Sequence, residues 1–125
     1  MEHSYKISVQ ARPFYLPEQS DVNAEQYTFA YQITISNEGS IAAKLLSRHW
    51  IIEDAEGRKQ EVKGPGVIGE HPELAPGQSF EYTSGVTLNS PVGTMRGSYQ
   101  MVAADGTEFD AEISPFILSM PRTLH

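Results

Sequence analysis

Hydrophobic and polar residues alternate along most of this chain, and the alternation breaks at short clusters of Gly, Pro, Asn, Asp and Ser. The clearest case runs from Gln26 to Ser36, where Tyr27, Phe29, Tyr31, Ile33 and Ile35 fall on one face and Thr28, Ala30, Gln32 and Thr34 on the other. A period of two is that of a half-buried strand, whose successive side chains point to opposite sides of a sheet. Tyr5 to Ala11 reads the same way, followed by an extended segment bracketed by Pro13 and Pro17 and a polar loop over 18–25. Asn37-Glu38-Gly39-Ser40 is a turn, with Gly39 suited to positive φ.

The next segment, Ile41 to Asp54, contains the helix-favouring run Ala-Ala-Lys-Leu-Leu. Its later half nevertheless alternates, with Leu46, Arg48, Trp50 and Ile52 opposite Leu45, Ser47, His49 and Ile51, which predicts a strand. A turn at Asp54-Ala55-Glu56-Gly57 leads to a short strand over Lys59–Val62, completing a hairpin. Beyond a glycine-rich stretch and the turn Leu74-Ala75-Pro76-Gly77, Phe80, Tyr82, Ser84, Val86 and Leu88 share one face. After a turn over 89–93, Met95, Gly97, Tyr99 and Met101 share the next, and Ala104-Asp105-Gly106 closes a hairpin. The last strand faces Phe109, Ala111 and Ile113 inward, with Phe116 and Leu118 after a break at Pro115, and a frayed tail over 119–125. About seven or eight strands with no convincing helix predict an all-β, immunoglobulin-like antiparallel sandwich in a single domain. Its lone Trp50 is expected in the core.

Composition narrows the function classes. The net charge of −7 and only nine Lys and Arg argue against DNA or RNA, whose binding requires cations that displace counterions from phosphates. Without cysteine there is no disulfide framework, no thiolate zinc site and no thiol nucleophile. The first residues lack the basic and apolar regions of a signal peptide, and no apolar run approaches the roughly 20 residues that span a bilayer. A cytoplasmic location with no membrane contact is the expectation.

Candidate chemistry centres on Lys63 to Gly85, and within it on Gly64-Pro65-Gly66-Val67-Ile68-Gly69. The spacing matches G-x-G-x-x-G, but Glu70-His71-Pro72-Glu73 follows where a dinucleotide fold would start a helix. The stretch therefore reads as a bend between strands. As a backbone nest, its N–H groups would hold a phosphate or carboxylate with help from Lys63. His71 beside Glu70 and Glu73 offers a weak divalent-ion site. Asp105 with Glu108, Asp110 and Glu112 offers oxygen ligands, though the last three read as a solvated outer face. Ser47 and His49 share a strand face, yet no carboxylate is expected to orient the imidazole, and no G-x-S-x-G elbow occurs. Neither catalytic residues nor a cofactor follow from the sequence.

Taken together, Y-x-F-A-Y-x-I-x-I-x-N-E-G over 27–39, L-L-x-R-H-W-I-I-x-D-x-x-G over 45–57 and V-x-G-x-G-V-I-G-E-x-P-x-L-x-P-G over 62–77 resemble the ApaG family. F-x-Y-x-S-G over 80–85 and P-x-G-x-M-x-G-x-Y-x-M over 91–101 extend the resemblance, which covers Tyr5 to Leu118. It implies a fibronectin type III-like sandwich in a bacterial protein, often encoded near a diadenosine polyphosphate hydrolase and linked to cobalt resistance and magnesium efflux. It also implies an interaction module, the role of related domains in eukaryotic F-box and polymerase-interacting proteins, with no established enzymatic activity.

Two functional expectations follow. One is a non-enzymatic module that binds an unidentified protein through a sheet face, an edge strand or the groove beside the Gly64–Glu70 loop, with Arg48, Trp50, Val67, Ile68 and Glu70 as the residues to test. The other is a sensor of a nucleotide polyphosphate, with or without a divalent metal, at Lys63, Gly64, Gly66 and Gly69.

Overall fold

The computed structural model describes residues 4–121. The strands are β1 (Ile7–Tyr15), β2 (Tyr27–Asn37), β3 (Ala43–Asp54), β4 (Lys59–Pro65), β5 (Glu73–Leu74), β6 (Ser79–Leu88), β7 (Val92–Ala103) and β8 (Glu108–Ser119). Two single 3₁₀ turns, Pro17–Gln19 and Val22–Ala24, are the helical segments among the described residues. One sheet has the order β1-β2-β6 and the other β4-β3-β7-β8, with β5 pairing the start of β3, and every pairing is antiparallel. Because β2 and β3 lie in different sheets, the chain forms the expected sandwich, with the inner faces of both sheets making one core.

The core follows the alternation. Tyr27, Phe29, Tyr31, Ile33 and Ile35 of β2 are all buried, and Met95, Tyr99 and Met101 of β7 face them. Trp50 is 2% exposed, and its ring meets Tyr31, Tyr99 and Phe116 edge-on or nearly so. Two polar side chains are buried as well. Asn37 donates to the carbonyls of Ile41 and Leu74 and accepts from the Gly39 amide, while Ser90 accepts from Ala55 N–H and donates to the Val92 carbonyl.

Five local expectations are corrected. Leu45 is 1% exposed and shares the core with Trp50 and Ile52, although strict alternation put it on the opposite face. A β-bulge causes this: Leu45 pairs with Met101 and Ser47 with Gln100, so Leu46 is an extra residue that reverses the parity. A second bulge replaces the break at Pro115. Met95 pairs with Phe116 and Gly97 with Ile113, leaving Ser114-Pro115 opposite Arg96 within a continuous β8. The hairpin strand expected over Lys59–Val62 continues through Pro65. Gly39 is absent from the positive-φ residues; a Cβ there would lie 2.3 Å from the Ser4 carbonyl oxygen, so the position needs space. Of the expected tail, Ser119 ends β8, Met120 N–H donates to the Pro91 carbonyl, and residues 122–125 lie outside the described part.

The two sides of the sandwich differ. On one, β1 packs along β8, reinforced by the Tyr5–Phe109 ring contact. On the other, β4 and β6 stand apart as free edges with a groove between them. No helix among the described residues is long and apolar enough to cross a membrane.

Candidate functional site: a clamped turn beside an open groove

The glycine-rich stretch is a detour in the strand that borders β3. Up to Pro65 the chain pairs with β3 over Ser47–Glu53, and it returns to pair Glu73–Leu74 with Lys44–Ala43. In between, Gly66 N–H donates to the Leu46 carbonyl and Leu45 N–H donates to the Pro72 carbonyl. The excursion thus leaves and rejoins the sheet at the β3 bulge. Gly66 has φ +59, and a Cβ there would lie 2.4 Å from the Glu70 carbonyl oxygen, so only glycine fits.

At the tip, Val67 and Glu70 exchange two backbone hydrogen bonds of 2.9 Å around Ile68 and Gly69, whose φ values are 44° and 79°. Positive φ at both central residues defines a type I′ turn, for which Asn-Gly is the favoured pair. Gly69 fits the preference and Ile68 does not, since its branched Cβ crowds the backbone in this conformation. Val67 is 1% exposed and pins the turn to the core, whereas Ile68 is 56% exposed.

Arg48 clamps the same segment from β3. Its Nη1 donates to the carbonyls of Pro65 and Gly66 at 2.9 and 3.0 Å. Gly64, its partner across the β3–β4 ladder, makes room, because a Cβ there would lie 3.0 Å from the guanidinium. The Arg48, Val67, Ile68 and Glu70 set therefore does come together around one turn.

Lys63 is placed differently. It lies on the outer face of β4 opposite His49, and with Ser47, Arg48, Gly64 and Gln100 it lines a shallow cavity of about 280 Å³. The loop amides are largely engaged, since Gly66, Val67 and Glu70 N–H groups all donate within the chain. Only the Ile68 and Gly69 amides of the turn lack an acceptor among the described residues.

The remaining candidates separate. His71 Nδ1 lies 3.1 Å from the Leu45 carbonyl, and Glu73 belongs to β5. Among the described residues no three His, Cys, Asp or Glu side chains converge as a metal would require, at 70–73 or along Glu108, Asp110 and Glu112. His3 and His125 lie outside the described part. Contrary to expectation, a carboxylate does reach His49: Glu61 Oε2 is 2.5 Å from its Nε2. That hydrogen bond, followed by the Lys63 charge, holds the Glu61 carboxyl below the usual range. Ser47 Oγ donates instead to Gln100 Oε1 at 2.7 Å, so its proton is not aimed at the imidazole.

Behind the Arg48 clamp lies a groove that alternation alone did not single out. It has a volume of about 330 Å³, with Tyr31, Trp50 and Ile52 at its floor, Val62 of β4 on one wall and Ser84 and Val86 of β6 on the other. Its signal in the sequence was Ser84, a polar residue at an inward position among apolar ones. Deeper in, the Tyr82 and Tyr99 hydroxyls are hydrogen-bonded to each other at 2.5 Å. Burial pushes the Tyr82 hydroxyl up to about 12 and that of Tyr99 further in the same direction.

The ApaG domain profile matches residues 17–103, which include β2 to β7, the turn and the groove. The chain belongs to the ApaG family. It is 60% identical over 121 residues to Protein ApaG of Thiobacillus denitrificans, spanning 97% of this chain and 95% of that one. With Protein ApaG of Nitrosomonas europaea it shares 58% over 124 residues, covering 99% and 98%. A crystal structure of a Bordetella pertussis protein described as ApaA superposes with a TM-score of 0.92 at 54% identity, over 95% of this chain and 97% of that one. The ApaG resemblance read from the motifs is thus a family membership extending over nearly the whole chain.

Proposed function

We propose that this ApaG-family chain is a non-enzymatic protein-recognition module whose contact surface is the Val67–Glu70 turn with the Arg48 clamp. The observation that carries the reading is Ile68. A β-branched residue at φ 44 is disfavoured by about 1–3 kcal/mol, and such strain persists where the surroundings over-determine it, clustering at active sites, ligand clamps and switch regions. Here Val67 is buried beneath the turn and Arg48 holds its base, so an exposed apolar side chain is presented in one fixed position. Fixing an anchor in advance reduces the ordering that binding would otherwise require. On this reading the chain acts in the cytosol, and the family's link to cobalt resistance and magnesium efflux runs through the bound protein.

The test places a photo-crosslinking amino acid at Glu70 in living bacteria, with the same group at Glu112 of β8, two strands away from β3, as control. A discrete adduct from position 70 that disappears in Ile68→Asn, with the variant still folded, is the expected result. An adduct unchanged by Ile68→Asn, or adducts equal at the two positions, would overturn the proposal.

A further inference from the structure

Each sheet of an open sandwich ends in strands with unpaired backbone groups, and natural proteins guard such edges with charge, proline, bulges or cover. Three of the four long edges here are guarded. Strand β1 carries Arg12 and Pro13 and is packed along β8. On β8 the guards are Glu108, Asp110, Glu112 and the bulge at Ser114-Pro115. Strand β4 has Lys59, Glu61 and Lys63 on its outer face and ends in Pro65.

Strand β6 is the exception. It pairs with β2 from Ser79 to Leu88 without a register shift, and its opposite edge is free. Apart from Glu81 near its start it has no charge, and it has no proline. From Thr83 to Leu88 the edge is therefore free of bulges, neutral and unguarded, and it borders the groove floored by Tyr31 and Trp50.

The groove also has a definite electrostatic character. In a chain of net charge −7, Arg48 is the single charged residue lining it, and no carboxylate does so. One guanidinium nitrogen is spent on Pro65 and Gly66; Nη2 and Nε have no acceptor among the described residues. Arg48 and Trp50 are two residues apart on one face of β3, about 7 Å along the strand at ~3.4 Å per residue. Alternate side chains of an incoming strand have the same spacing.

We infer that the free edge of β6 is a strand-addition site for an extended segment of a partner protein, carrying an apolar and an acidic side chain two residues apart. The segment's backbone pairs with Thr83–Leu88, its apolar side chain packs over Tyr31 and Trp50, and its carboxylate meets the Arg48 guanidinium. Backbone pairing supplies affinity and the two inward side chains supply selectivity, as in other sheet-edge recognition. A second copy of this chain does not satisfy the site through its own β6, because the inward positions of that strand, Phe80, Tyr82, Ser84, Val86 and Leu88, offer no carboxylate for Arg48. The inference rests on the protein-recognition reading and names the mode and the side chains recognised.

The experiment selects unstructured octapeptides from a displayed random library on the full chain, then maps the best binders by amide NMR and hydrogen exchange. Expected are peptides with an apolar-x-Asp or apolar-x-Glu pattern, shifts and slowed exchange over Thr83–Leu88, and at least tenfold weaker binding when the acid becomes Asn or Gln. Ser84→Trp, which fills the groove, is expected to lose the same peptides. Selected peptides that shift only 66–70 would overturn strand addition while leaving the turn as the recognition surface. Failure to select any peptide, or concentration-dependent self-association that removes the same β6 exchange signal, would also overturn it. The cross-linking test at Glu70 is read separately, so loss of both results removes the recognition reading itself.

Discussion

Replacing Ile68 with asparagine separates the conformational demand of the turn from the value of the side chain. In the left-handed region a branched residue is disfavoured by about 1–2 kcal/mol, whereas asparagine visits it readily, and Asn-Gly is the favoured I′ pair. Against that gain stands the apolar burial that isoleucine supplies. Ile68 is 56% exposed, and full burial of an isoleucine stabilises by about 2 kcal/mol, so a little under half, about 0.9 kcal/mol, is removed. The net for Ile68→Asn is a gain of about half a kcal/mol, too small to interpret alone. Ile68→Ala provides the reference, because it removes similar burial but keeps a Cβ that dislikes positive φ. The expected result is that Ile68→Asn exceeds Ile68→Ala by about 1 kcal/mol in urea unfolding, or about 3–5 °C in Tm for a domain of this size. If the alanine variant equals or exceeds the asparagine variant, the backbone at 68 is not held at positive φ. Position 68 then stores no strain for recognition.

Other consequences can be measured with the same assays. Gly66→Ala meets the Glu70 carbonyl oxygen at 2.4 Å and should destabilise by more than 2 kcal/mol; Gly69→Ala meets nothing within 4 Å and should lose only about 1 kcal/mol, from its φ of +79. Tyr99→Phe leaves the Tyr82 hydroxyl without its partner and should lower stability by about 1–3 kcal/mol, while the double variant Tyr82→Phe/Tyr99→Phe loses less than the sum of the singles. The same pair sets the alkaline limb. Burial raises both hydroxyls, so their contribution is intact below the unfolded value of about 10 and fades as pH rises through about 12, seen as tyrosinate absorbance appearing together with unfolding. At low pH, Asp105 is held below the usual range first by the Tyr5 hydroxyl, 2.6 Å away, and then by the Thr107 amide. Its stabilisation is present above the unfolded carboxyl value of about 3.9 and is lost as pH falls through the lower folded one. Tyr5→Phe should therefore move the acid-unfolding midpoint upward.

The fold was legible because most strands here have one wet and one dry face, so the alternation of β2, from Tyr27 to Ile35, appears unchanged in burial. It became illegible where one residue was inserted. Nothing in Leu45-Leu46 says which leucine is the extra one, since both are apolar and the choice depends on pairing with β7 more than fifty residues away. The turn was half legible. Glycine spacing located it, but the type I′ geometry was hidden because Ile68 violates the residue preference by which such turns are recognised. The groove was least legible, for it consists of space between β4 and β6, strands that are not paired with each other.

These illegible features have a common origin in the β3 bulge. Without Leu46 as an extra residue, burying Leu45 would require Ser47, His49 and Ile51 to point inward with it, and Arg48 and Trp50 would face solvent. The insertion reverses the parity beyond it, so Trp50 enters the core and Arg48 follows on the same face, directed at the open side of the sandwich. It also presents the Leu46 carbonyl and the Leu45 amide to Gly66 and Pro72, the two points from which the turn departs and to which it returns. One extra residue on β3 thus supplies the guanidinium at the groove, the aromatic floor beside it and the anchorage of the turn. The turn and the groove are on this account one surface. A protein bound at Ile68 would have the groove and the free edge of β6 within reach of the same chain.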